Sequence, residues 1–305
     1  MKQFASLFVI ISLFITMLCF PQATFNGATN GLLLWFQIVL PTLLPFMIFS
    51  NLLIQSNAID SIAHALKSFI QPLFQVSTPS CYAILVGFLC GYPMGAKAIA
   101  DLTRSNRISP EEGQYLLSFC NNSSPMFILS FVVLQNLKNK SLAVSTISIL
   151  LLSPILCSFL FRKSYLKQAK NTVKAPFQSN KFVFRFQILD DSIMNGFEMI
   201  TKVGGYIILF SILFCLAGNL PYNWYLPLLE ISNGIPWIVH QSIPCSYIYI
   251  LVLALTSFGG ICAMLQTYSM LQGTGIRMFP YIIQKLITTV VTSLLAFLYV
   301  VFILR

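Results

Sequence analysis

The string Gly87-Phe88-Leu89-Cys90-Gly91-Tyr92-Pro93-Met94-Gly95-Ala96-Lys97 concentrates more chemical potential than any other stretch of the chain. Its glycines let the backbone turn, and Pro93 leaves a carbonyl without its helical partner. A helix resuming near Met94 would aim free N–H groups and the positive end of its dipole at an anion. Lys97, one turn further on, would add a full charge. Anion binding by Gly91, Tyr92, Pro93, Gly95 and Lys97 is one reading; a tight helix-packing surface of small residues is the other. A second cluster, Asn121-Asn122-Ser123-Ser124-Pro125, is N-cap chemistry ahead of a helix-opening proline. One cap needs one such side chain, so four in a row point to a cavity to be lined. The third candidate, Ser257-Phe258-Gly259-Gly260 with Gln266 and Thr267, is less polar.

Catalytic chemistry finds little to work with. The eight cysteines are scattered and never two or three residues apart, so neither a zinc spacing nor a redox pair is formed. The two histidines, His64 and His240, lie in different segments, and no GxSxG, Walker or HExxH pattern occurs. The expectation is a protein that is not an enzyme, with no catalytic residues, no metal and no cofactor.

The elements that position these clusters are membrane helices. Of 305 residues, 57% are apolar and 9% charged, and the mean hydropathy is +0.80. A soluble domain carries about 25% charged residues. Soluble enzymes, nucleic-acid-binding domains and disordered chains are thereby excluded, and nucleic acid is not an expected partner. The net charge of +10 fits loops held against an anionic cytoplasmic leaflet. Apolar runs that could span a bilayer cover residues 4–20, 32–54, 141–161, 199–220, 247–262 and 281–304. No Ala-x-Ala cleavage site follows the first run, which therefore reads as a retained helix rather than a signal peptide. Residues 81–100, broken by Gly87, Gly91, Pro93 and Gly95, and residues 125–135 are awkward as spans.

Loop charges orient the chain. Residues 162–185 hold seven Lys or Arg, whereas 21–31 and 221–245 hold none. The first is thus cytoplasmic and the others face outward. Crossings counted back from Arg162 agree with these signs only if residues 81–100 enter and leave on one side, as a re-entrant hairpin. Ser109-Pro110-Glu111-Glu112 opens a helix with a capping box, which reads as a solvated helix at the membrane surface. Glu230 and Asn233 sit in a neutral outer segment, either as interfacial residues without a role or as part of a gate. Gln37 and Asn51 read as interhelical glue.

At an offset of 170, Phe88, Met94, Arg107, Pro110, Gln114 and Leu116 face Phe258, Met264, Arg277, Pro280, Gln284 and Leu286. Chance within apolar composition is one explanation; an inverted duplication, with a second re-entrant segment at 251–271, is the other. Inverted repeats with glycine-interrupted segments at matching positions point to a transporter site at the bilayer midplane. The expected architecture is all-α and polytopic: about 7–8 transmembrane helices, one or two re-entrant glycine-broken segments and a possible inverted repeat. One integral membrane domain would cover 1–305, with repeat 1 at about 32–135, a linker at about 162–190 and repeat 2 at about 199–304.

Four strings then suggest a family. Leu34-Trp35-Phe36-x-x-x-Leu40-Pro41-x-Leu43-Leu44-Pro45-Phe46, Gly91-Tyr92-Pro93-Met94-Gly95-Ala96-Lys97, Leu117-Ser118-Phe119-Cys120-Asn121-Asn122 and Leu229-Glu230-Ile231-Ser232-Asn233-Gly234 resemble the YlbJ-type sporulation integral membrane proteins, relatives of the nucleoside-recognition Gate proteins. The resemblance runs over nearly the whole chain from Leu32. It implies a multi-pass protein of the cell (inner) membrane and, in a sporulating host, of the outer forespore membrane. It also implies transport of dipicolinic acid, a small organic anion, with the lipid bilayer as the other partner. The expected binding residues are Gly91, Tyr92, Pro93, Gly95, Lys97, Asn121, Asn122, Ser123, Ser124, Gly259, Gly260 and Gln266. A Gate-like assembly or signalling protein and a nucleoside-type transporter are the alternatives.

Overall fold

A computed structural model describes residues 2–56, 58–169, 185–218 and 223–303. The basic residues Lys170, Lys174 and Lys181 of the linker lie outside the described residues. Helix α1 (Lys2–Cys19) is exposed along most of its length and ends at Phe20. Pro21 then occupies the first turn of α2 (Pro21–Gln55), where its missing N–H costs nothing. A π-helical turn at Trp35–Val39 interrupts α2 just before Pro41 and Pro45. Among the described residues six helical stretches are long and apolar enough to cross a membrane, and a pair bent by 87° makes up to seven. That pair is α3 (Ala58–Phe74) and α4 (Thr78–Cys90).

Hairpin 1 consists of α4 and α5 (Met94–Arg104), joined at Gly91-Tyr92-Pro93. Its two open ends lie together against the start of α6 (Pro110–Cys120). The N–H of Ser77 and the hydroxyl of Ser80 both donate to Glu112 Oε1, at 2.6 Å each. Residues 81–100 thus turn back on themselves, the hairpin shape that the re-entrant expectation requires. Ser109 caps α6 as expected, accepting from the Glu112 N–H at 3.2 Å. The expectation of a solvated surface helix fails, however, because every residue from Glu112 to Cys120 is buried. Glu112 is used to fasten hairpin 1 rather than to meet water. After a break at residues 121–124 the path continues as α7, a turn at Pro125–Phe127 running into the π-helical Ile128–Leu137. Thus α6 and α7 together form one broken span, which explains why residues 125–135 looked too short. Helix α8 (Ala143–Ala169) follows.

The second half repeats this order. Helix α9 (Phe186–Ala217) is antiparallel to α2: Gly27 packs on Ile212, Gly31 on Ile208 and Gly196 on Ile48, and Trp35 Nε1 donates to the Ile200 carbonyl at 2.9 Å. Hairpin 2 pairs a 3₁₀ segment, Asn223–Leu228, with α10 (Ile231–Val239), turning at Leu229-Glu230. Gly234 packs on Pro227 across this hairpin. A broken span follows, α11 (Cys245–Phe258) and α12 (Gly260–Met270), with its break at Gly259. Helix α13 (Met278–Phe302) closes the chain.

This order corrects the duplication expected from the sequence. Residues 251–271 belong to a candidate span, Cys245–Met270, and the second hairpin is hairpin 2. Asn121 and Gly259, at the two breaks, lie 138 positions apart, as do Lys140 and Met278, which open the last span of each half. The offset of 170 does not match this spacing, and Gln114 and Arg277, which it aligns with other residues, instead meet directly: Gln114 Oε1 accepts from the Arg277 N–H at 2.9 Å. Arg104 likewise reaches the Met270 and Gln272 carbonyls at 2.6 and 2.8 Å, tying the open end of hairpin 1 to the far end of α12. Hairpin 1 enters from this basic end and hairpin 2 from the opposite end, so the halves are inverted.

Candidate functional site

Each hairpin tip is seated in the break of the span that follows it. At the first, Tyr92 N–H donates to the Asn122 carbonyl at 2.7 Å. Gly91 has φ +73°, and a side chain there would also meet Ser124 N. Gly87 and Gly95, one on each arm, close around the Cys120 carbonyl oxygen so tightly that a methyl group on either would collide with it. At the second, Cys262 N–H donates to the Leu229 carbonyl at 3.0 Å. Backbone groups freed at membrane depth need partners, and each tip supplies them to its break.

Side chains of the first break then reach into the second half. Asn121 donates to Thr267 Oγ1 and Tyr281 Oη, both at 2.8 Å, and accepts from the Ala96 N–H at 3.2 Å. Ser123 donates to the Thr256 carbonyl at 3.1 Å. Ser124 is the N-cap of α7, accepting from the Phe127 N–H at 3.2 Å. Asn122 Oδ1 accepts from Lys285 Nζ at 2.9 Å.

Between the tips lies a cavity of about 490 Å³ of empty space, open solvent at its mouth included. Its polar wall is formed by Tyr92, Ser123, Ser124, Glu230, Ser232 and Gln266, with Thr42 on α2. Val39, Leu43, Phe127, Val203, Ile207 and Ile231 form the apolar wall. Gln266 donates to Cys262 Sγ at 3.2 Å while its Oε1 is buried without a partner. A buried amide oxygen left unpaired is costly, so a ligand or a water that donates to it is favoured here. Glu230 is 3% exposed and caps α10, accepting from the Asn233 N–H at 2.9 Å and the Asn233 amide at 3.1 Å.

Of the residues expected to bind, Tyr92, Ser123, Ser124, Gly259 and Gln266 line this cavity. Gly91 and Gly95 shape the hairpin, Pro93 sits just inside its tip, and Gly260 (φ +79°) packs on the Leu228 and Leu229 carbonyls. Asn121 and Asn122 stand behind the wall as ties between halves. Lys97 is displaced from the site: it pairs with Asp101 at 2.8 Å and donates to Asn51 Oδ1 at 3.2 Å. It opens onto a charged cleft at the basic end, with Arg104, Glu198 and Lys202. One turn into α5, its side chain projects away from the tip. Asn51 is the interhelical glue expected of it. Glu230 is buried in the cavity wall rather than set at an outer interface. Lys285, 2% exposed, is a buried residue that the sequence argument passed over inside the run 281–304. An ionisable residue within a span is by default a functional candidate, and that signal was available.

These features define a class: a multi-pass helical membrane protein with two hairpins seated in two broken helices around a central cavity. Residues 36–162 match the Gate family model, described as nucleoside recognition; the match takes in hairpin 1 and the first break. The sporulation integral membrane protein YlbJ of Bacillus subtilis (strain 168) is 28% identical, over 93% of this chain and 79% of its own length. Over nearly its whole length the chain is thus similar to a sporulation integral membrane protein of the YlbJ type. No solved structure matches it.

Proposed function

We propose that the chain is a transporter that moves a small organic anion, with dipicolinate as the first candidate, through the central cavity. One observation carries this reading: both hairpin tips and both helix breaks converge on the same cavity, and they approach it from opposite ends. Inverted halves that share a midplane site can expose it to either side by rocking or by withdrawing one hairpin. The N-termini of α10 and α12 face the cavity and favour negative charge. The hydroxyls of Tyr92, Ser124 and Ser232 and the Gln266 amide would supply donors to a carboxylate, and Val203, Ile207 and Phe127 a surface for a flat ring. The sporulation role in the relative's name supports a cargo of spore formation.

Glu230 favours a second reading. It sets a carboxylate in a cavity wall that includes no Lys or Arg, an arrangement suited to an uncharged solute rich in donors, such as a nucleoside. Flux from vesicles containing the purified protein decides between them. Release of dipicolinate but not uridine supports the first reading, and the reverse supports the second. If both stay trapped, transport is refuted and a partner-binding role becomes the account to test.

A further inference from the structure

Lys285 occupies a position that the proposed pathway does not use. Its Nζ lies 2.9 Å from Asn122 Oδ1, at the first break, and 3.4 Å from the Ser257 carbonyl, at the end of α11. It also sits 5.9 Å from the centre of the Tyr281 ring. Among the described residues no carboxylate lies within 4.0 Å of it. An amine is thus held by an amide oxygen and a helix-terminal carbonyl at the crossing of two broken spans. Unwound carbonyls and half-helix C-termini are what secondary transporters use to hold a coupling sodium ion or proton.

We propose that Lys285 is the coupling group of this protein: its amine holds the cation position between the two breaks, and exchange of its proton, not of a metal ion, accompanies the transport cycle. The proton arrives from water on one side, resides on the amine, and leaves to water on the other, so that charge and atoms balance without a co-reactant. Hydroxyls line the way: Thr288 and Thr292 are buried on the same face of α13, and Thr292 donates to Ser257 Oγ at 2.9 Å. The other groups nearby that can titrate are Tyr281 on α13 itself, Cys120 at the end of α6 and Cys157 on α8 beside Thr288. None of these is a carboxylate, and none titrates as a second amine. Arginine in place of Lys285 would keep the charge but not release its proton.

The inference rests on the transport reading, so its test has one arm with transport and one without. In vesicles with the membrane potential clamped, an inward proton gradient should concentrate dipicolinate about tenfold per pH unit if one proton moves with each molecule. A sodium gradient should have no effect. Lys285→Arg should lose the response to pH while still allowing exchange of dipicolinate across the vesicle membrane. Sodium-driven uptake, or an unchanged pH response in Lys285→Arg, would overturn the proposal even with transport intact. If the wild type moves no dipicolinate, the second arm decides: melting of the detergent-solubilised protein in sodium or potassium across pH 6–9. A midpoint indifferent to sodium, with a pH dependence that Lys285→Arg and Lys285→Met both lack, supports the amine as the exchanging group. Stabilisation by sodium, or identical pH profiles in all three proteins, overturns it.

Discussion

The two hairpins do the same geometrical job with different amounts of material. Hairpin 1 has arms of 13 and 11 residues, is buried along most of both, and clamps the Cys120 carbonyl between two glycines. Hairpin 2 has a six-residue 3₁₀ arm and a nine-residue helix. The breaks differ in the same sense. The first takes four polar residues, each bonded; the second takes Gly259 alone, with φ +87° and only ordinary contacts around it. Yet from its hairpin and break the second half gives the cavity Glu230, Ile231, Ser232, Gly259, Cys262, Ala263 and Gln266, and the first gives Tyr92, Ser123, Ser124 and Phe127, while α2 adds Val39, Thr42 and Leu43 and α9 adds Val203 and Ile207. A well-fastened half holds the site, and a lightly fastened half does most of the touching.

Substitutions that treat the halves alike should therefore have unlike effects. Gly91 and Gly259 both have positive φ, which costs a side chain about 1–2 kcal/mol. Gly91 also faces Ser124 N at close range. Gly91→Ala should therefore abolish accumulation of folded protein, whereas Gly259→Ala should lower the melting midpoint by only a few degrees, about 1 kcal/mol of strain. Next in size, Glu112→Gln weakens both of the hydrogen bonds that anchor hairpin 1. A loss of about 1–3 kcal/mol is expected, read as a lower melting midpoint with cavity binding unchanged. Glu230→Gln keeps an oxygen to cap α10 but removes the charge from the cavity. It should leave stability within about 1 kcal/mol and tighten dipicolinate binding several-fold in equilibrium titrations. The smallest effect belongs to Lys97→Ala: dipicolinate flux should fall by no more than about twofold, because its ion pair is part-exposed and worth little.

How much of this was legible in the residues differs between the halves for the same reason. Hairpin 1 announces itself through four breakers within nine residues and through the charge arithmetic of its flanks. Hairpin 2 carries a fainter signal: Pro227, Gly234 and Pro236 fall within its arms, but its turn is Leu229-Glu230, two residues compatible with a helix, and its arms are too short to show a period. The apparent repeat at 170 does not relate equivalent positions, because the breaks and the last spans of the two halves are 138 apart. Asn121 and Asn122 were found for their polarity, but their partners Tyr281, Thr267 and Lys285 lie roughly 145 to 165 positions away. Such pairings are invisible to any local pattern. Lys97 misled because a lysine beside a helix break could point either way, and Asp101, one turn on, drew it outward.

The claim on which the rest stands is that solute passes through the space between the two hairpin tips. Ala263 lines that space on α12 and is 7% exposed, so Ala263→Trp would fill it from the lightly fastened half. Efflux of trapped dipicolinate from vesicles should be measured for the wild type and for this variant, each shown to be folded by its melting curve. The account predicts release through the wild type and retention by the variant. Equal release from both would place the path elsewhere and contradict it.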